Sequence, residues 1–364
     1  MPAGRVAGPQ AAGSVQPAMG SLAVDTDNAV EREQEKGDGR SDLERLKTIA
    51  TIGSTVDPSN GDQNPYGLAI APAERGLFQK GDLVVCNFNN AANVQGTGTT
   101  IVALHPKQGS TPLRVAQDRS LLGCTEVALG PTDNVWASAF AANDNPIVSP
   151  NGAVLTTLAG GPWSGPFGQV FAPAGEHRAP AFYESNATNG TIVRINIKPG
   201  MPFTYDIIAK GFAVNGGAPG SILGPSGLQY DAQSDKLYIV DGDNNTVVTF
   251  RHVSTIPNGG IVVSGHTFSG PFAGRAKLLF SGEPLNGPIS SALLNDGHLV
   301  LGNTLDPNGK NIMVEIDSHG RLLGTKNVDT GASGAIFGMV AAPGHERSLY
   351  FNDDNENAVK VLKE

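Results

Sequence analysis

Six times along the chain an alternating apolar run stops at a residue that is, with one exception, an acid or an amide: Asn87, Ala139, Glu184, Asp241, Asn303 and Asp353. Gathered around one opening, the five polar members could hold a hard cation through oxygen alone. Such a donor set suits Ca²⁺, Mg²⁺ or Mn²⁺, with Glu184, Asp241 and Asp353 supplying the charge. The competing and stronger expectation is that each residue closes the turn of its own repeat, because Asn and Asp bind nearby backbone and tolerate left-handed geometry. In "KLYIVDGDNNTVVTF" (236–250), Asp243, Asn244 and Asn245 read as turn residues, and Asp241 is the member that could belong to a site.

A second column precedes the first in each repeat: Tyr66, Thr125, Phe167, Ser226, Ile289 and Phe337. Tyr66, Phe167 and Phe337 could give a small-ligand pocket its apolar wall beside polar groups. Packing between repeats is the leading alternative, and Trp136 and Trp163 read as packing residues too.

These residues need a scaffold that brings distant segments together, and the chain supplies one by repetition. "GPSGLQYDAQSDKLYIVDGDNNTVVTF" aligns with segments at 64–104, 165–195, 287–316 and 335–362, and more weakly with "CTEVALGPTDNVWASAFAANDNPIVSP" at 124–150. Each copy has a strand led by Gly, a turn, a second strand ending in the polar residue, and a third strand. Further β-prone runs such as "TPLRVAQ", "AVLTTL", "TYDIIAK", "AKLLFSG" and "RLLGTKN" follow most copies. Four strands per copy, at a spacing of roughly 40 to 60 residues, predict an all-β, six-bladed β-propeller with four-stranded antiparallel blades. The last copy ends one strand short, whereas "LKTIATIGSTV" (46–56) has no partner of its own. It is expected to pair with about 357–363 and close the ring, which also removes exposed sheet edges.

"PSGLQYDAQSDKLYIVDGDNNTVVTF" and "FGMVAAPGHERSLYFNDDNENAVKVL" resemble the NHL-repeat family of six-bladed propellers, whose architecture is comparable to that of TolB-like and gluconolactonase-like propellers. The likeness spans about 50–364 and is strongest in blades one, four and six. It implies a fold rather than an activity. The gluconolactonase resemblance would place metal ligands at the starts of inner strands, beginning with a Glu in Glu-Gly-Pro. Here the first inner strand reads "NPYG", and the column that would hold Asn and Asp is that of Tyr66, Phe167, Ile289 and Phe337. Side chains of this kind cannot coordinate a hard cation.

Composition excludes several classes. Charged residues make up 16% of the chain, with 47 Gly and 25 Pro, which favours short strands and many turns. A net charge of -9 with no basic cluster argues against a nucleic-acid partner. No apolar run is long enough to insert in a bilayer, so a soluble chain is expected, with no membrane insertion. Residues 1–40 read as a disordered leader and 41–364 as a single propeller domain, expected to be a monomer. "SDLERLK" carries Ser41 and Glu44 at capping-box spacing. No signal peptide is recognised, although low charge and Asn, Gly and Thr richness lean toward a periplasmic or secreted protein.

Cys86 and Cys124 fall near one channel mouth, where a contact is plausible and a disulfide would require an oxidising compartment. The seven histidines show no HExxH spacing, Ser164 lacks a nucleophile elbow, and "GTGTT" (96–100) precedes a strand rather than a phosphate-binding helix. The sequence therefore points to a non-catalytic propeller binding a protein or small ligand at the channel mouth. The alternative is a metal-dependent hydrolase or lyase using the carboxylate ring, with Ca²⁺ or another divalent cation.

Overall fold

The computed structural model describes residues 40–364 apart from Pro131, Pro307, His345 and Glu346. The expected leader at 1–40 lies outside the described residues except for Arg40. Six blades, each of four antiparallel strands, form a propeller. Blade one holds β2 (Gln63–Ile70), β3 (Leu83–Asn89), β4 (Thr100–Leu104) and β5 (Leu113–Gln117). Blade two holds β6 (Cys124–Leu129), β7 (Val135–Ala139), β8 (Pro146–Val148) and β9 (Val154–Thr157). Blade three has β10 (Pro166–Ala172), β11 (Ala181–Asn186), β12 (Thr191–Asn196) and β13 (Thr204–Lys210). Blade four has β14 (Pro225–Asp231), β15 (Lys236–Asp241), β16 (Thr246–Arg251) and, after an insertion, β19 (Ala276–Ser281).

Blade five comprises β20 (Pro288–Leu293), β21 (Leu299–Asn303), β22 (Asn311–Ile316) and β23 (Leu322–Asp329). Blade six comprises β24 (Ile336–Ala341), β25 (Ser348–Asp353), β26 (Ala358–Lys363) and, on its outside, β1 (Thr48–Ser54). β1 runs antiparallel to β26, with Thr48 opposite Lys363 and Ser54 opposite Ala358.

The burial pattern follows from this layering. Second strands such as β3 and β15 are buried along their whole length, because each lies between neighbouring blades, and they are accordingly rich in Val, Ile, Leu and aromatics. Outer strands such as β9 are largely open to solvent. Apolar clusters fill the spaces between blades, for example Ile239, Phe250 and Leu237 with Tyr183 and Ile208 between blades three and four.

The inner strands β2, β6, β10, β14, β20 and β24 surround the channel, each in contact with the next. They pack so closely that a Cβ on Gly168 would sit 2.0 Å from Ser226 O, and one on Gly338 2.3 Å from Tyr66 O. Only glycine fits such an approach. Blade two breaks the pattern by placing Glu126 at this position, and blade five by placing Ser290.

Two features are additions to the sequence reading. The insertion in blade four forms a hairpin, β17 (Ile261–Ser264) and β18 (Thr267–Ser269), and β17 pairs parallel to β13, extending the third sheet to six strands. The helical turn α1 (Asp42–Arg45) docks on blade five. Ser41 Oγ accepts the Glu44 amide at 3.2 Å, one half of the expected capping box. The reciprocal role falls to Glu315 of β22, which takes the Ser41 hydroxyl at 2.6 Å and the Asp42 and Leu43 amides at 3.0 and 2.9 Å. A buried carboxylate thus satisfies helix-start donors that have no partner within the turn.

Cys86 in the middle of β3 and Cys124 at the start of β6 form a disulfide, with Cα atoms 5.9 Å apart, linking blades one and two. No helix among the described residues is long and apolar enough to cross a membrane.

Candidate functional site

The inner-strand starts bring Tyr66, Phe167, Ile289 and Phe337 from four blades into one apolar cluster with Phe88, Ala187 and Ile222. Tyr66 stacks between Phe337 and Phe88, at centroid distances of 3.8 and 4.2 Å, and meets the edge of Phe167 at 6.3 Å. The aromatic column therefore packs across the channel, and it also forms the floor of a mouth pocket of about 470 Å³.

Asn64 at the start of β2 and the loop residues Asn215, Thr304, Ser333 and Asp354 complete the pocket wall. The Asp354 backbone bonds Ala335 and Asn357, but its carboxylate has no hydrogen-bond or ion-pair partner among the described residues. Burial, and then the neighbouring Asp353, push its carboxyl up to about 6. The Tyr66 phenol is raised by burial and by the Asp354 charge. Asn64, held in left-handed backbone at φ 64° with its amide donating to Asn357 Oδ1 at 2.7 Å, keeps its buried Oδ1 without a partner.

The oxygen column is arranged differently from the sequence expectation. In blade three the residue opposite Pro166, in the place that Asp241 takes opposite Pro225 and Asn303 opposite Pro288, is Asn186. Glu184 lies two residues earlier, opposite Gln169. The shift of two keeps the same strand face, so alternation of apolar and polar residues cannot detect it.

Each column member binds locally. Asn87 donates to Thr55 O and Thr100 Oγ1 at 3.0 and 3.2 Å. Asn186 accepts the Ser164 amide at 3.1 Å and donates to Pro162 O at 2.8 Å. Asn303 repeats this, accepting from the Asn286 amide at 3.0 Å and donating to Pro284 O at 2.8 Å. These amides peg the segment that leads into their own blade. Asp241 instead accepts the Asp243 and Asn244 amides at 3.2 and 3.3 Å and Asn244 Nδ2 at 2.9 Å, closing its turn. Asp353 accepts the Glu356 amide at 3.3 Å and pairs with Lys360 Nζ at 2.6 Å.

Glu184, Asp241 and Asp353, the expected metal trio, enter three separate sets of contacts. Among the described residues, the acid and histidine groups of three or more whose ligand atoms lie within 4.8 Å of one another are Asp42, Asp296, His298 and Asp329, Asp353, Glu356. Glu184 and Asp241 belong to neither, because each is turned toward groups of its own or the adjacent blade. Lys360 already supplies a cation to the second group, contacting Asp353, Glu356 at 2.9 Å and Asp329 at 3.9 Å. In the first group His298 Nδ1 lies 2.8 Å from Glu315 and 3.3 Å from Asp296, and Arg347 approaches Asp42 at 3.8 Å.

Further along the inner strands the channel opens into a cavity of about 750 Å³, walled by segments such as Leu68–Ala71, Val127–Leu129, Val170–Phe171 and Met339–Ala341. Its polar points include Glu126, Gln169 and Gln229. Glu126 Oε1 accepts the Leu68 and Val127 amides at 3.2 and 3.0 Å, and burial still lifts the carboxyl to about 8. Sequence reasoning missed Glu126 and Asp354. The first was visible as an acid in a glycine column, whereas the second sits one residue outside the column inspected.

The fold defines a six-bladed β-propeller, and solved structures of that class superpose on it. A gluconolactonase from Xanthomonas campestris matches with a TM-score of 0.55 at 12% identity, over 87% of this chain and 97% of its own. Virginiamycin B lyase from Staphylococcus aureus, in a catalytically inactive form with quinupristin, gives 0.52 at 13%, over 87% and 99%. A chain of the nidogen/laminin complex gives 0.53 at 14%, over 80% and 96%. At these identities the likeness establishes the fold alone. No known family matches the sequence. No curated protein matches it either.

Proposed function

We propose that this chain is a non-catalytic binding propeller of the NHL-like kind, whose channel mouth takes a small ligand bearing an ammonium group on an apolar body. The observation that carries the reading is Asp354: a half-buried carboxylate without a cationic partner, at the rim of a pocket floored by Tyr66, Phe167, Ile289 and Phe337. Apolar surface with a few convergent polar groups is the usual make-up of a small-ligand site, and an unpaired carboxylate there selects for positive charge. Asn64 Oδ1 adds a second acceptor. The oxygen-column residues serve local structure in this reading, so no metal-dependent hydrolysis is assigned to them.

Calorimetric titration with phenethylamine and with phenethyl alcohol tests it. The amine binds at pH 7.5, the alcohol does not, and Asp354→Asn abolishes amine binding while the fold persists. As pH falls through about 6, Asp354 takes up a proton and amine affinity drops with it. Equal binding of alcohol and amine, or undiminished binding by the Asn variant, refutes the ammonium reading.

A further inference from the structure

Between blades two and three, Glu184 is a fully buried carboxylate with no basic side chain paired to it among the described residues. Its Oε2 accepts Asn145 Nδ2 at 2.8 Å and Gln169 Nε2 at 2.7 Å. Its Oε1 has no partner, and three more buried oxygens of the same group are unpaired: Ser138 Oγ, Asn145 Oδ1 and Gln169 Oε1. Burial raises the Glu184 carboxyl well above the usual carboxylate range, and the side chains of Ser138, Gln169 and Asn145 oppose that rise only in part.

Unpaired buried polar atoms are rare, and each needs an explanation. Here the four atoms share one chemistry. All carry lone pairs, and they accompany a buried carboxyl that no basic side chain pairs among the described residues and whose charge burial suppresses until a cation offsets it. The partner that fits is electropositive and satisfied by several oxygens together. We propose that Ser138, Asn145, Gln169 and Glu184 form a binding site for a hard divalent cation of the Ca²⁺ class.

One carboxylate, one hydroxyl and two amide carbonyls are oxygen donors of the type such ions take, with no nitrogen or sulfur to favour a softer metal. Half a turn of the Asn145 and Gln169 amides exchanges the donors now facing Glu184 for their carbonyls, since the two ends of an amide have the same size and opposite roles. Gln169 also lines the channel cavity, which gives an ion a route in. The site shares only Glu184 with the ring expected from sequence, and it stands apart from the mouth pocket and its amine.

The test uses the whole chain, stripped with a chelator and titrated with CaCl₂ by calorimetry, with thermal melts alongside. One Ca²⁺ binds per chain and raises the melting temperature. Glu184→Gln loses both effects, and Ser138→Ala weakens binding by about tenfold, the scale for loss of one supporting group at a metal. Asn145→Asp, which adds a charge, tightens it, and this variant decides the matter should Glu184→Gln fail to fold. Asp241→Asn and Asp353→Asn bind as the wild type does. Absence of Ca²⁺ uptake by the stripped protein, uptake unchanged in Glu184→Gln, or no tightening in Asn145→Asp would overturn the site.

Discussion

Lys360 Nζ lies 2.6 Å from Asp353 Oδ2, and both side chains are almost fully enclosed. The ammonium stands where a ring of strand-end carboxylates suggested a metal ion. A charge built into the third strand of blade six answers the charge at the end of the second, so Asp353 is committed to its own blade.

Removing that ammonium leaves Asp353 buried and unpaired. Lys360→Met is expected to lower stability by about 3 kcal/mol, the lower range for breaking a buried ion pair, and the Lys360→Met, Asp353→Asn double variant recovers part of the loss. Urea denaturation of the three proteins measures it. A single variant as stable as wild type would show the pair to be dispensable.

Pairing of β1 with β26 makes ring stability depend on both chain ends. Deleting residues 1–40 leaves the thermal midpoint nearly unchanged, whereas deleting 1–57 removes α1 and β1, exposes an edge of β26 and destabilises the ring severely. Equal midpoints for the two truncations would disprove the dependence.

The Cys86–Cys124 bridge spans 38 positions of sequence. Changing both residues to Ser is expected to cost about 2 to 4 kcal/mol. Alkylation and mass spectrometry of unreduced protein from an oxidising compartment returns both thiols blocked. Two freely labelled thiols would refute the bond, and with it the lean toward an exported protein.

The α1 latch carries a pH dependence whose sign can be worked out. Partners hold Glu315 below the usual carboxylate range, namely His298, Ser41 and the Leu43 and Asp42 amides, opposing the effect of burial. Its contribution is present above the ordinary value of about 4.5 and is lost as pH falls through its lowered one. His298 is raised by Glu315 and Asp296 against burial, so its contribution holds below about 6.5 and disappears as pH rises through the raised value. Asp42, pushed up to about 6 mainly by burial and by Asp296, loses its contribution earlier, as pH rises from about 3.8 to about 6, and so favours the acid side of this window. Thermal midpoints should therefore peak between about 4.5 and 6.5 relative to a Glu315→Gln variant, which lacks the acid arm. A variant profile parallel to wild type at every pH would rule out the latch.

The propeller was legible because alternation and turn residues recur at each blade: "TYDIIAK" and "AKLLFSG" were found as fourth strands by their β-prone pattern alone, and they are β13 and β19. Placement of Tyr66, Phe167 and Phe337 at the channel followed from the same alignment. Glu184 was misplaced because a slip of two residues conserves the face. The β17–β18 hairpin has no counterpart in other repeats, so no alignment could expose it. Contacts such as Glu315 with Ser41 join segments far apart in sequence, and nothing local records them.

That hairpin also sets an order of assembly. The outermost layer of blade three is drawn from chain that a ribosome makes only after three strands of blade four, since β17 follows β16. During synthesis the outer edge of β13 stays open until residues 261–262 arrive to lie against 209–210. Blades three and four therefore mature as one unit rather than in succession, and a stalled chain ending between Arg251 and Ile261 would present an unpaired strand edge to its neighbours.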